Sequence, residues 1–213
     1  MSIVHWESVE PFEVDVGPMR GTWFNLGSAA GSVSVSVGCR RMVVPPGGRT
    51  TPVHRHTADA PSPRPDRIVA LADVEPDVTL RRRARFAERE LGRALGSVRS
   101  TLAHMTIAAG YEGFPPHCHS LDDELFVVLE GAGVVVLGDE EIPVRRGTIV
   151  DRPPSTKVAH SFRASDTADL VYLVYGDLPP NDICFYPRSG KISFRGVGVI
   201  GRIEPLDYWE GEE

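Results

Sequence analysis

Cysteine is scarce in this chain. Only Cys39, Cys118 and Cys184 occur among 213 residues, and they are widely spaced, which fits a reducing compartment better than a disulfide framework. Basic charge is also short: 23 Lys and Arg against 29 Asp and Glu give a net charge of -6, a balance that disfavours nucleic acid and anionic membrane surfaces. No apolar run approaches the length of a membrane span. Met1 to Glu10 lacks a basic segment followed by an apolar one, so no secretory signal is expected. These absences point to a cytoplasmic protein. The hydrophobic fraction of 41% and the charged fraction of 24% are those of an ordinary globular domain.

The stretch that carries chemistry is Pro116-His117-Cys118-His119-Ser120-Leu121-Asp122-Asp123-Glu124. In extended chain, residues two apart share a face. His117 and His119 therefore converge, and Glu124 joins them from the start of the next strand. Two imidazoles and a carboxylate make a mixed ligand set for a divalent metal that leaves positions open for water or substrate. His160, in a later strand-like run, is the fourth candidate ligand. Cys118 lies between the histidines and points away from them, as a packed thiol. His104 lies on the preceding strand, where it has a choice of faces.

The chain contains a broken repeat. Leu26-Gly27-Ser28-Ala29-Ala30-Gly31-Ser32-Val33 matches Leu91-Gly92-Arg93-Ala94-Leu95-Gly96-Ser97-Val98 at an offset of 65, and Pro52-Val53-His54-Arg55-His56 matches Pro115-Pro116-His117-Cys118-His119 at an offset of 63. The second copy runs on through Glu124. The first stops after His56, where the proline-rich Thr57 to Pro65 follows with no matching glutamate. His54 and His56 alone make a weak site that needs ligands from a second chain.

The coarse reading is all-β. Strands are predicted over Thr22 to Leu26, Val33 to Val44, Ser97 to Ala108, Glu124 to Leu129, Gly133 to Leu137, Glu141 to Val144, Thr148 to Asp151, Val158 to Phe162 and Leu170 to Tyr175. Short strands separated by Gly131, Gly133, Gly138 and Gly147 suggest a barrel or sandwich. Leu80 to Leu95 is the only helix candidate. Arg81-Arg82-Arg83 at its start opposes the helix dipole, and the cluster reads as solvated linker charge. Glu124, Phe126 and Val128 share one face of their strand, while Leu125, Val127 and Leu129 make the other equally apolar. That strand must be covered on both sides, by the lumen on one and by the N-terminal segment or a second subunit on the other.

These residues resemble the cupin superfamily. Its first motif, G(X)5HXH(X)3-4E(X)6G, fits His117, His119, Glu124 and Gly131, with Gly110 one residue early. Its second, G(X)5PXG(X)2H(X)3N, fits Gly147 and Pro153; Ser155 replaces the glycine, His160 comes two residues late and the asparagine is absent. The tail from Asn181 to Lys191 and on to Leu206-Asp207-Tyr208-Trp209 resembles the C-termini of two-domain cupins, or bicupins.

The resemblance implies one complete double-stranded β-helix, or jelly-roll, barrel plus a partial N-terminal cupin unit. The implied organisation is a partial unit over 1–58, a Pro/Arg-rich linker over 59–88, the complete barrel over 89–180 and a tail packed on it over 181–213. It implies one divalent ion (manganese, iron, nickel, cobalt or zinc) on His117, His119, Glu124 and His160. The truncated first unit points to a homodimer.

Three functions remain open. One is a metal-dependent enzyme acting on a small polar or carbohydrate-like molecule. The others are a non-catalytic small-ligand binder and a structural dimeric cupin. A large pocket with an ordered metal favours the first two; a lumen filled with side chains favours the third. No acid/base residue can be placed in the pocket from sequence alone.

Overall fold

The computed structural model describes residues 3–16, 19–26, 40–48 and 68–212. His54, His56, Cys39 and residues 33–39 of an expected strand lie outside them.

In chain order the described strands are β1 (Ile3–His5), β2 (Phe12–Val16), β3 (Met19–Asn25), β4 (Arg40–Val43), β5 (Asp77–Leu80), β6 (Arg85–Glu90), β7 (Ser100–Ile107), β8 (Cys118–His119), β9 (Glu124–Glu130), β10 (Ala132–Leu137), β11 (Glu140–Arg145), β12 (Thr148–Arg152), β13 (His160–Ala164), β14 (Leu170–Asp177), β15 (Ile183–Tyr186), β16 (Lys191–Phe194) and β17 (Val199–Arg202). A single helical turn, α1 (Leu91–Ala94), separates β6 from β7. The chain is thus all-β, and no described helix is long and apolar enough to cross a membrane.

A seven-stranded sheet, in the order β1-β12-β9-β14-β7-β6-β5, faces a three-stranded sheet, β11-β10-β13. The core lies between them. Phe86, Met105, Ile107, Phe126, Val128, Val150 and Tyr172 come from the large sheet and meet Val135, Leu137, Val144, Phe162 and Ala164 from the small one. From Ala103 on, every second residue of β7 is buried, as a half-covered strand requires. At Gly131 the chain leaves β9 for the facing sheet. Its φ of +76° suits glycine, and an added Cβ would sit 1.8 Å from the Asp169 carbonyl oxygen.

The expected helix over Leu80 to Leu95 is instead β6 followed by one turn. Residues 77–80 and 85–90, expected as linker and helix, are strands of the large sheet. The reason is alternation: Phe86 turns into the core while Glu88 and Glu90 line the lumen, and β6 pairs along its length with β7. Long-range pairing outweighs local helix preference.

The N-terminal strands form their own sheet, β2-β3-β4. Phe12, Trp23 and Met42 stand in register across it, as Asp77, Glu88 and Met105 do across β5-β6-β7. The spacings between the two sets are 65, 65 and 63 residues, the offsets of the sequence repeat. Val9 and Leu26, with Phe24 beside them, pack on Leu125 and Ile149, covering the outer face of β9 and β12.

Candidate metal centre

β8 pairs with β15, and the residue before it is tied to β13. His117 exchanges backbone hydrogen bonds with His160 on β13, N–H to O at 3.1 and 2.8 Å. His119 pairs with Cys184 on β15. Glu124 opens β9. Two strands of the barrel wall and the tail therefore bring these four side chains to one end of the barrel.

Glu124 Oε2 lies 3.2 Å from His160 Nε2 and 3.7 Å from His119 Nε2. One ligand atom each from His117, Glu124 and His160 lies within 4.8 Å of the others. The His117 ring centroid is 5.0 Å from that of His119 and 4.5 Å from that of His160. Three of the four residues expected from the sequence, His117, Glu124 and His160, form one such group; His119 groups instead with His117 and Cys184 or with Asp122 and Asp182, its ring centroid 6.3 Å from that of His160. His104 is not among them: Ala103 and Met105 line the cavity, and His104 lies on the opposite face, across from Arg89 and Leu173.

Two of the rings are aimed by their far nitrogens. His117 Nδ1 lies 2.8 Å from the Pro115 carbonyl oxygen, and His119 Nδ1 lies 2.7 Å from Asp182 Oδ2. A carbonyl and a carboxylate can only accept, so each Nδ1 carries the hydrogen and a neutral ring keeps its Nε2 lone pair for the site. Asp182 is in turn held. Its Oδ1 accepts the backbone N–H groups of Ser120, Leu121 and Asp122 at 3.1, 2.9 and 3.3 Å, and it is 1% exposed. Burial alone would raise its pKa, but the His119 bond and the Leu121 N–H hold it well below the usual carboxylate range.

The electrostatics divide the four residues. Burial pushes His117 down to about 3, with His160 adding to the effect. Burial also lowers His160, against the pull of Glu124. Glu124 is buried too, yet the three imidazoles outweigh burial and keep it ionised, at about 2. For His119 burial works against the charged form, but the Asp182 carboxylate prevails and holds it above its ordinary value. Buried Glu124 Oε2 has no hydrogen-bond partner among the described residues. It faces the imidazole nitrogens of His160 at 3.2 Å and His119 at 3.7 Å. His117, Glu124 and His160 make a donor set that could hold a divalent cation, which would offset the desolvation of their lone pairs.

The approach to the turn before His160 explains its altered motif. Ser155, standing where the motif has glycine, adopts φ 60° and Lys157 φ 59°, a left-handed conformation that costs non-glycine residues energy. The turn is pinned all the same. Ser155 N–H donates to His119 O at 2.9 Å, Ser155 Oγ donates to Ser120 O at 2.7 Å, and the Arg152 guanidinium donates to Val158 O.

The four residues stand in a cavity of about 490 Å³ with Phe126, Phe162 and Tyr172 in its wall. Sequence reasoning missed several of its members. Asp182, Cys184, Tyr186, Lys191, Ser193 and Arg195 reach it from the tail, and no local pattern ties them to a motif some sixty residues earlier. Cys184 Sγ lies within 4.8 Å of ligand atoms of His117 and His119, but burial keeps its thiol protonated, its pKa near 11. Arg195 Nη2 bridges Asp122 Oδ2 at 2.6 Å and Asp182 Oδ2 at 3.6 Å, so that carboxylate pair already holds a cation. Glu88 and Glu90 also line the cavity, from the strand mistaken for a helix. Burial and the neighbouring Glu90 and Asp77 push Glu88 up to about 7.

The cupin domain family matches residues 103–176. A candidate sugar phosphate isomerase from Acidithiobacillus ferrooxidans ATCC 23270 superposes with a TM-score of 0.57 at 26% identity, over 66% of this chain and 96% of that one. A sugar phosphate isomerase of the cupin superfamily from Silicibacter pomeroyi DSS-3 gives the same TM-score at 22% identity, over 67% and 98%. No curated protein matches the sequence.

Proposed function

From a cupin domain with this geometry we infer a metal-dependent enzyme that acts on a small polar or carbohydrate-like molecule. The metal ligands in this reading are His117, His119, Glu124 and His160. The observation that carries it is the buried Glu124 carboxylate facing imidazole nitrogens at 3.2 and 3.7 Å inside an open cavity. A lumen of about 490 Å³ is the size of a small-ligand site, which weighs against a purely structural barrel. The 26% identical candidate sugar phosphate isomerase supports the choice of substrate class.

A divalent ion held there would supply a Lewis acid for a carbonyl oxygen. The chain supplies the rest. Phe126, Phe162 and Tyr172 keep water from the inner end of the cavity. Glu88 and Glu90, two apart on β6, place a carboxylate pair in the same space, and Glu90 Oε2 accepts from Thr101 Oγ1 at 3.4 Å. A carboxyl titrating near 7 is suited to taking and returning a proton at neutral pH. The same reading includes a homodimer, since β5 edges the large sheet with Val78 and Leu80 exposed. Light scattering at micromolar concentration tests this part, and a monomer mass would remove it.

The main test is elemental analysis of purified protein beside His117→Ala and His160→Ala, followed by turnover on sugar phosphates. About one metal per chain is expected, lost in His117→Ala and weakened in His160→Ala. No metal on purification or reconstitution would sink the reading. Metal without turnover would favour the non-catalytic binder.

A further inference from the structure

Next to the metal cavity lies a second cleft of about 500 Å³. Five cations, Arg81, Arg82, Arg83, Arg188 and Lys191, line it, and its only carboxylate among the described residues is Glu112. Glu112 accepts from Arg188 Nη1 at 3.1 Å and faces Arg83 Nε at 3.8 Å. The cations therefore outnumber it by four, on a chain whose net charge is -6. The triple arginine is adjacent in sequence, but Arg188 and Lys191 are brought to it by the tail. Arg81, Arg82 and Arg188 lie on connections between strands, where their guanidinium groups meet solvent.

The two cavities share a border. Phe114, Pro115, Tyr186 and Lys191 line both. Lys191 Nζ lies 5.1 Å from the Tyr186 ring centroid, and the Tyr186 ring stacks 5.8 Å from that of the ligand candidate His117. The basic cleft thus adjoins the metal site through one aromatic residue.

We propose that this cleft is an anion subsite and that it holds the phosphate of a phosphorylated sugar whose remaining part enters the metal cavity. Guanidinium groups offer paired N–H donors that match phosphate oxygens. A surplus of four positive charges suits a dianion better than a single carboxylate. The cleft's size limits the ligand to a small molecule, and the acidic remainder of the chain opposes a nucleic acid. The choice of a sugar rests on the enzyme reading above; the anion subsite itself does not.

The test is calorimetric titration of the metal-loaded full chain with ribose 5-phosphate, ribose and inorganic phosphate. It is run beside the double variant Arg81→Glu, Arg82→Glu and beside His117→Ala. Ribose 5-phosphate is expected to bind at least about tenfold tighter than ribose, and the double variant to remove that advantage with metal content and melting temperature unchanged. The advantage shrinks when salt rises from about 20 to about 200 mM, because these charges face solvent. Inorganic phosphate is expected to bind His117→Ala as it binds the parent. Equal affinity for ribose and ribose 5-phosphate overturns the subsite while leaving the metal reading intact. So does an advantage that survives the double variant. Loss of phosphate binding in His117→Ala would put the anion on the metal instead, and also overturns it.

Discussion

Asp182 aims His119. It takes the Nδ1 hydrogen at 2.7 Å and is itself fixed by three backbone N–H groups of the turn that follows β8. Asp182→Ala should lower metal affinity about 10- to 100-fold, as loss of such a partner does, and should cost about 1–3 kcal/mol for the N–H groups left without an acceptor. Competition with a chromogenic chelator reads the first effect and urea denaturation the second. An unchanged affinity would mean that His119 needs no such support. Glu88 gives a pH prediction. Its carboxyl is raised in the folded state from 4.5 to about 7, so the native protein binds its proton more tightly than the unfolded chain does. The stability this contributes is full below about 4.5 and is lost as pH rises through 7. Glu88→Gln removes the titration. Its melting temperature should gain on the parent's between pH 5 and 8, and parallel curves over that range would refute the assignment.

β9 shows what a single element carries. Its inner face supplies Glu124 to the site and Phe126 and Val128 to the core, while Leu125 packs under the N-terminal sheet. The turn that ends it depends on Gly131, where a Cβ would overlap the Asp169 carbonyl. Gly131→Ala should destabilise the barrel by about 3 kcal/mol or more, from backbone strain and forced displacement together. Denaturant melts check this, and a cost below about 1 kcal/mol would show that the Asp169 loop yields freely. The pattern of β9 is legible in sequence because a doubly covered strand is apolar on both faces, as Leu125 to Leu129 is. That of β6 is not. Arg85 to Glu90 has one core residue, Phe86, while Glu88 and Glu90 on the same face line the cavity, so a rule that equates inward with apolar misreads it.

For the whole molecule, the N-terminal sheet acts as a cover. Leu26 is 2% exposed against Leu125 and Ile149. Leu26→Ala should cost about 2–4 kcal/mol by opening a cavity between sheet and barrel, measured by urea denaturation. A loss under about 0.5 kcal/mol would mean that the N-terminal sheet adds nothing to barrel stability. The repeat that marks this unit was visible in sequence because residue identities survive at fixed offsets. Its contact with the barrel was not, since Leu26 and Leu125 share no local pattern.

The sequence by itself determined the strand-rich class, the cupin spacing of His117, His119 and Glu124, and the later His160. Those follow from local rules: a two-residue period sets faces, and glycines set turns. Only the tertiary structure decided what surrounds them. Asp182 and Arg195 come from the tail, Glu88 and Glu90 from across the barrel, and the five cations of the second cleft from two distant segments. Nothing in the chain near any of these residues specifies its neighbours. Strand pairing across long separations does, and it is set by the packing of the whole barrel.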